Sequence, residues 1–202
     1  MKDWLVDPLG EESVDIYAIG FEEMVDLTAQ NMVVTAQKHR QEWASEILRI
    51  VGSGYALVTS VQLVGVCLYI FIKNEHLHGV KEVVTDTVKT GAGGRVGNKG
   101  GAAVRLRFYN TSLCFVCAHL AAGQNHVSMR NSDYSDISSR LKFGKGRTLS
   151  SHDYIFWFVG WLVGWLVGWG GGGGGGRRER EERPRTGNCP LFFLSLSFFL
   201  SL

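Results

Sequence analysis

Four short segments of this 202-residue chain carry side chains with chemistry to offer. Glu22 and Glu23 close the apolar run VDIYAIGFEE. Adjacent carboxylates supply the hard oxygen ligands that a small divalent cation takes while keeping several waters. RVGNKGGAA (95–103) sets Asn98 and Lys99 among three glycines. Glycine lets the backbone approach an anion closely, and the two side chains add charge and hydrogen bonds. CAHLAAGQ (117–124) puts His119 just past an apolar run and ahead of small residues. An imidazole there has room to hydrogen-bond or protonate a phosphoryl oxygen. MRNSDYSDISSRLKFGKGR (129–147) interleaves Arg130, Arg140, Lys142, Lys145 and Arg147 with aromatic residues, a pattern suited to phosphates or an anionic bilayer. Each segment also has a plainer reading. A glutamate pair opens a helix N-terminus, a glycine-rich stretch makes a hairpin loop, a histidine ends a strand, and a basic run is a solvated helix face. RVGNKGG lacks the GxxxxGK[ST] spacing of a nucleotide P-loop.

The elements that position these residues follow from the hydrophobic pattern. VDIYAIGFEE is near-continuously apolar, as a strand buried on both faces would be. Between Leu27 and Val51 the residues Trp43, Ile47, Leu48 and Val51 fall at helical spacing, with Gly52 as the stop. Tyr55–Lys73 is rich in Val, Ile, Tyr and Phe and reads as two strands broken near 62–65. NEHLHG is a turn, and VKEVVTDTVKT a strand. Residues 90–101 read as a glycine-rich loop. AAVRLRFYN and SLCFVCAHL are two strands joined at Asn110-Thr111, residues 125–141 are mostly helical, and SHDYIFW begins a last strand. Mixed strands and helices give an α/β layered fold, with its site at strand ends.

Composition is that of a globular protein: 45% hydrophobic, 20% charged, net charge +2. Charge is divided unevenly. Residues 1–86 hold thirteen acids against six bases, and residues 87–159 ten bases against three acids. Such a division suits a site holding a cation and an anionic ligand together, and also a fold whose halves neutralise each other. Among the four cysteines, Cys114 and Cys117 point to opposite faces of one strand and make no metal clip. Buried free thiols in a reducing compartment are expected. The acidic start, MKDWLVDPLGEE, is no signal peptide. After Trp157 the character changes: ten of the 26 glycines lie between 160 and 176, followed by RREREERPR and LFFLSLSFFLSL.

The order of the segments is more specific than any one of them. GFEE, GNKGG, a strand ending in HLAAG, RNxDY and HDYIFW follow one another over residues 1–157. In this the chain resembles the inositol polyphosphate 5-phosphatase catalytic domain, in its synaptojanin-like form. The resemblance implies a partial four-layer α/β sandwich of the deoxyribonuclease I-like type, incomplete at both ends, over residues 1–157. Residues 158–202 are then a low-complexity tail, disordered or non-native. It implies Mg²⁺-aided hydrolysis of the 5-phosphate from a phosphoinositide headgroup or soluble inositol phosphate. The implied setting is cytoplasmic, peripheral at anionic membranes, with no nucleic acid partner. Residue by residue, Glu23 would be the metal ligand and His119 would contact the scissile phosphate. Asn98 and Lys99 would line the substrate pocket, with Arg130 and Tyr134 matching RNxDY. The departures matter too. The chain starts after the family's first strand, whose Asn serves the metal. After HDYIFW the family has Cys-Gly-Asp-x-Asn-Tyr-Arg, where this chain has Phe158, Val159, Gly160 and Trp161. The family's Pro-x-Trp-Cys-Asp-Arg and Ser-Asp-His motifs do not occur. The expectation is a family member without turnover. The alternatives are a non-catalytic anionic-lipid binder and a membrane protein inserted through the apolar run Tyr154–Trp169, although that run is shorter than the about 20 residues a spanning helix needs.

Overall fold

The computed structural model describes residues 14–24, 34–159 and 197–200. Two four-stranded sheets lie face to face. Sheet A has the order β2 (Tyr55–Leu63), β3 (Val66–Lys73), β1 (Ile16–Phe21), β8 (Ser197–Leu200). Sheet B runs β4 (Val80–Thr90), β5 (Val96–Phe108), β6 (Thr111–His119), β7 (Tyr154–Val159). Pairings are antiparallel except β6–β7, which are parallel and are joined through helix α2 (Val127–Arg140). Parallel neighbours need such a crossover. Helix α1 (Val34–Val51) precedes β2.

Three hydrophobic layers result. Between the sheets pack Ile16, Leu68, Ile70, Val104, Leu106, Phe115 and Phe158. Outside sheet A, Tyr17, Ile19, Tyr69 and Phe71 meet Trp43, Ile47 and Leu48 of α1. Outside sheet B, Ala103, Cys114 and Val116 meet Ile137 of α2 and Leu141. The helix–sheet–sheet–helix order is the four-layer α/β sandwich expected. All six residues of β1 are buried, as a strand covered on both faces must be. The cysteine alternation holds as well: Cys117 lies between the sheets, Cys114 outside sheet B, and both are free thiols.

Several local expectations shift. α1 is described from Val34, and residues 27–33 of the expected helical stretch lie outside the described residues. Gly52 ends it in the left-handed region, φ +97°. The β5–β6 turn is Tyr109-Asn110 rather than Asn110-Thr111, because Phe108 pairs with Thr111. The expected loop over residues 90–101 is mostly strand. Only Gly91–Gly94 forms a turn, with Ala92 and Gly93 left-handed, and Asn98, Lys99, Gly100 and Gly101 belong to β5. Of the tail, Phe158 and Val159 continue β7, and Ser197–Leu200 pair antiparallel with β1 as an edge strand of sheet A. The rest of residues 160–202 lies outside the described residues, including most of the apolar run proposed for a membrane. Its first six residues, Tyr154–Val159, are strand. Among the described residues no helix is long and apolar enough to cross a membrane.

Candidate active site

The C-terminal ends of β1 and β6 and the N-terminal part of β5 meet at one end of the sandwich. Register brings them together: Gly100 of β5 pairs with His119 of β6 on one side and Lys89 of β4 on the other. β1 closes on β6 from the facing sheet. A Cβ at Gly20 would stand 2.8 Å from Cys117 Sγ, so glycine is what lets the two sheets approach here.

The glycines of GNKGG have the same role. A Cβ at Gly97 would lie 2.8 Å from Val64 Cγ2, and one at Gly101 2.9 Å from Ile137 Cγ2. At Gly100, with φ +149°, a Cβ would run into the Val88 carbonyl oxygen. These positions make room for protein atoms in a packed strand, which corrects the loop reading. Of the two residues between them, Lys99 reaches the site with its side chain and Asn98 with its backbone.

Lys99 Nζ lies 2.6 Å from His119 Nε2. Glu23 Oε1 and Glu22 Oε2 are 3.5 and 3.9 Å from the same nitrogen. Glu22 is largely buried, and Glu23 is exposed with φ +57°, a left-handed conformation rare for a residue with a side chain. The turn at β2–β3 backs this corner: Met24 N–H donates to the Gly65 carbonyl, and a Cβ on Gly65 would sit 3.3 Å from Glu23 Cα.

Electrostatics set the protonation of the pair. Burial lowers the Lys99 ammonium pKa, resisted by the charges of Glu23, Glu22 and Asp133. His119 is driven down to about 4, by burial first and by Lys99 next, against the pull of Glu23 and a hydrogen bond with the Asn98 backbone. Two nearby carboxylates would ordinarily raise an imidazole, so burial and the lysine outweigh them. A short contact in which the ammonium donates requires a bare Nε2, consistent with a neutral ring.

This carries a pH prediction. The folded imidazole titrates below its unfolded value, so the unfolded chain binds the proton first as pH drops. Stability is full above about pH 6.5 and declines toward pH 4, by up to about 3 kcal/mol. Thermal melts in chelator should show the midpoint falling between pH 7 and 5, with His119→Gln flattening the slope. An equal slope in that variant would contradict the assignment. Burial also lowers His152, which adds the same sign and will leave a residual slope.

The remaining residues singled out in the sequence are placed as follows. Asn98 is in β5, its Oδ1 packed against Gly91 so closely that a Cβ there would overlap it. Arg130 donates to the carbonyls of Ala121, Gly123 and Gln124. Its guanidinium thus holds the loop after His119, a positioning contact where a substrate contact was expected. Tyr134 lies against Trp157, ring centres 4.9 Å apart. Two residues were missed. Glu22 was read only as half of a pair, yet it is the buried carboxylate. Asp133 accepts from Ala121 N–H at 2.8 Å and acts on Lys99. It is the Asp of RNxDY, so the signal was in a motif used only for its flanks.

The chain matches the Endonuclease/Exonuclease/phosphatase family 2 model over residues 1–160. It is 46% identical over 169 residues to synaptojanin-2 of Rattus norvegicus and 46% over 170 to synaptojanin-1 of Homo sapiens, in each case covering 78% of this chain. It is 41% identical over 164 residues to inositol-1,4,5-trisphosphate 5-phosphatase 1 of Schizosaccharomyces pombe. It spans only 11–15% of the length of these relatives. Among solved structures it resembles the inositol polyphosphate 5-phosphatase domain of SPsynaptojanin in complex with inositol (1,4)-bisphosphate and calcium ion. The TM-score is 0.67 at 37% identity, covering 79% of this chain and 47% of that one.

Proposed function

The chain belongs to the inositol polyphosphate 5-phosphatase family, and on that premise we propose that its site binds the phosphate of an inositol phosphate or phosphoinositide headgroup without turning it over. The observation that carries this is the cluster itself: Lys99 Nζ 2.6 Å from His119 Nε2, with Glu22 and Glu23 within 4 Å, at the mouth of the sandwich. A cation donor and an imidazole beside paired carboxylates suit an anion and a divalent cation bound together.

The donor set fits a hard divalent cation in part. Glu23 is exposed and offers carboxylate oxygens, with Glu22 behind it, so Glu23 would hold Mg²⁺ and solvent would complete its shell. Bound there, the ion supplies charge compensation for phosphoryl oxygens. Lys99 supplies donors to those oxygens as it leaves His119. A phosphate dianion beside His119 favours the protonated ring, so binding draws a proton to Nε2. Asn98 orients His119 through its backbone, while Arg130 and Asp133 fix the loop that follows. Because the same headgroup occurs in lipids, the proposal extends to the cytoplasmic surface of anionic membranes, with the chain bound peripherally.

Calorimetric titration with inositol 1,4,5-trisphosphate in Mg²⁺ tests the reading. Lys99→Gln should weaken binding roughly 10–100-fold, as expected for a hydrogen bond to a charged group. Equal affinity in the two proteins, or no binding by the parent chain, would sink it.

A further inference from the structure

The outer face of sheet B carries a second concentration of positive charge, at the end remote from Glu23. Along β5, Arg105 and Arg107 alternate with the core residues Val104 and Leu106. Arg147 reaches the same place from the segment after α2. One carboxylate serves all three. Glu82 Oε2 accepts from Arg105 Nη1 at 2.7 Å and lies 3.1 Å from Arg147 Nη2, and Oε1 is 4.0 Å from Arg107 Nη2. Glu82 sits in a bulge of β4 with φ +52°, where the register slips between Lys81 and Val84. Its carboxyl is held below the usual range, chiefly by the Arg105 hydrogen bond and then by the charges of Arg147, Arg105 and Arg107.

The arrangement is under-neutralised. Arg105 is only 3% exposed. Its Nε, the Nε of Arg107 and the Nε2 of His152 are buried without a hydrogen-bond partner. Arg105 and Arg147 both act on His152, which keeps that ring in this positive field. Lys81 pairs across from Arg107 and adds another cation, while Asp153 is taken up by Ser112 N–H and Oγ. Toward solvent, Arg107 and Arg147 remain 41% and 32% exposed. Guanidinium forks with unmet donors match a tetrahedral oxyanion, which only accepts and carries up to two charges.

We propose that Arg107 and Arg147, backed by Arg105 and the Glu82 bulge, form a phosphomonoester-binding site separate from the one at Lys99. Arg105 lies six positions after Lys99 on β5, about 20 Å along the strand. The proposal stands independently of the inositide reading.

The test uses the full chain in a Lys99→Gln background, which weakens the first site, titrated with inorganic phosphate at fixed ionic strength. Phosphate binding should persist in Lys99→Gln. It should fall at least tenfold when Arg107→Gln and Arg147→Gln are added, with an unchanged far-ultraviolet circular dichroism spectrum. Arg107→Lys with Arg147→Lys keeps the charge without the fork and should give an intermediate affinity. Loss of all binding in Lys99→Gln alone, or glutamine and lysine variants binding as tightly as that background, overturns the proposal. Vesicles of phosphatidylcholine with and without phosphatidylinositol 4-phosphate identify the source. Vesicle binding lost together with phosphate binding assigns a lipid headgroup, and vesicle binding retained while phosphate binding is lost assigns a soluble phosphomonoester.

Discussion

Incubated with Mg²⁺ and inositol 1,4,5-trisphosphate, the chain is expected to release phosphate no faster than its His119→Ala variant. Residues acting as a catalytic unit lose most of their rate together, and removing one member typically costs about 10⁴–10⁶-fold. Here the departures from the family pattern begin in the last two residues of β7 and continue beyond it. Phe158 is buried between the sheets, with its Cβ 3.5 Å from where a Cβ on Gly20 would be, and Val159 packs on the outer layer of sheet B. By the resemblance, the Asp and Asn expected after HDYIFW fall at Gly160 and Leu162, past the end of β7 and outside the described residues, and neither of those residues is titratable. From Phe158 to Trp169 the sequence holds no titratable group. Release clearly above the His119→Ala control, measured as inorganic phosphate, would overturn this.

The second large effect is on stability. Gly100→Ala should cost about 3 kcal/mol, combining a left-handed φ of +149° with overlap onto the Val88 carbonyl and a 2.7 Å approach to Leu63 Cδ2. Neither neighbour yields easily, since one is backbone in β4 and the other is core. For a chain of this size the melting point should drop by roughly 10 °C. Gly52→Ala is the internal comparison. Its φ is +97°, but nothing lies within 4 Å of the added carbon, so only backbone strain of about 1 kcal/mol is expected. Similar shifts for the two variants in thermal melts would show that the overlap at Gly100 is relieved by movement.

The contrast between those two glycines explains what was legible in the sequence. Strands buried on both faces announce themselves as apolar runs, and β1, β3 and β6 are where the pattern puts them. Glycine does not say which neighbour it makes room for. In GNKGG the obvious reading was a loop around an anion, whereas Leu63, Val64, Ile137 and Val88 occupy that room. Arg130 stands out by charge and by its place in RNxDY, and three carbonyls nine residues or fewer away take its guanidinium. The stacking of two sheets is a long-range fact that periodicity does not carry, and it came from the family resemblance. β8 was hidden because LFFLSLSFFLSL has the composition of a low-complexity segment, and only its pairing with β1 makes Ser197–Leu200 a strand. The Glu82 bulge was equally silent, since nothing in VKEVVTDT marks where a register slips.

The order in which the strands are synthesised differs from the order in which they pair. β2 with β3, and β4 through β6, are neighbours in sequence, so each closes soon after it emerges from the ribosome. β1 is different: its six buried residues first pair with β3, which begins at Val66, about 45 residues later. At translation rates of 5–20 residues per second, IYAIGF waits roughly 2–9 s for its first strand partner. A strand buried along its whole length is therefore also the one that a growing chain leaves longest without a strand partner, and the carboxylates of Glu22 and Glu23 at its end keep that nascent segment charged while it waits.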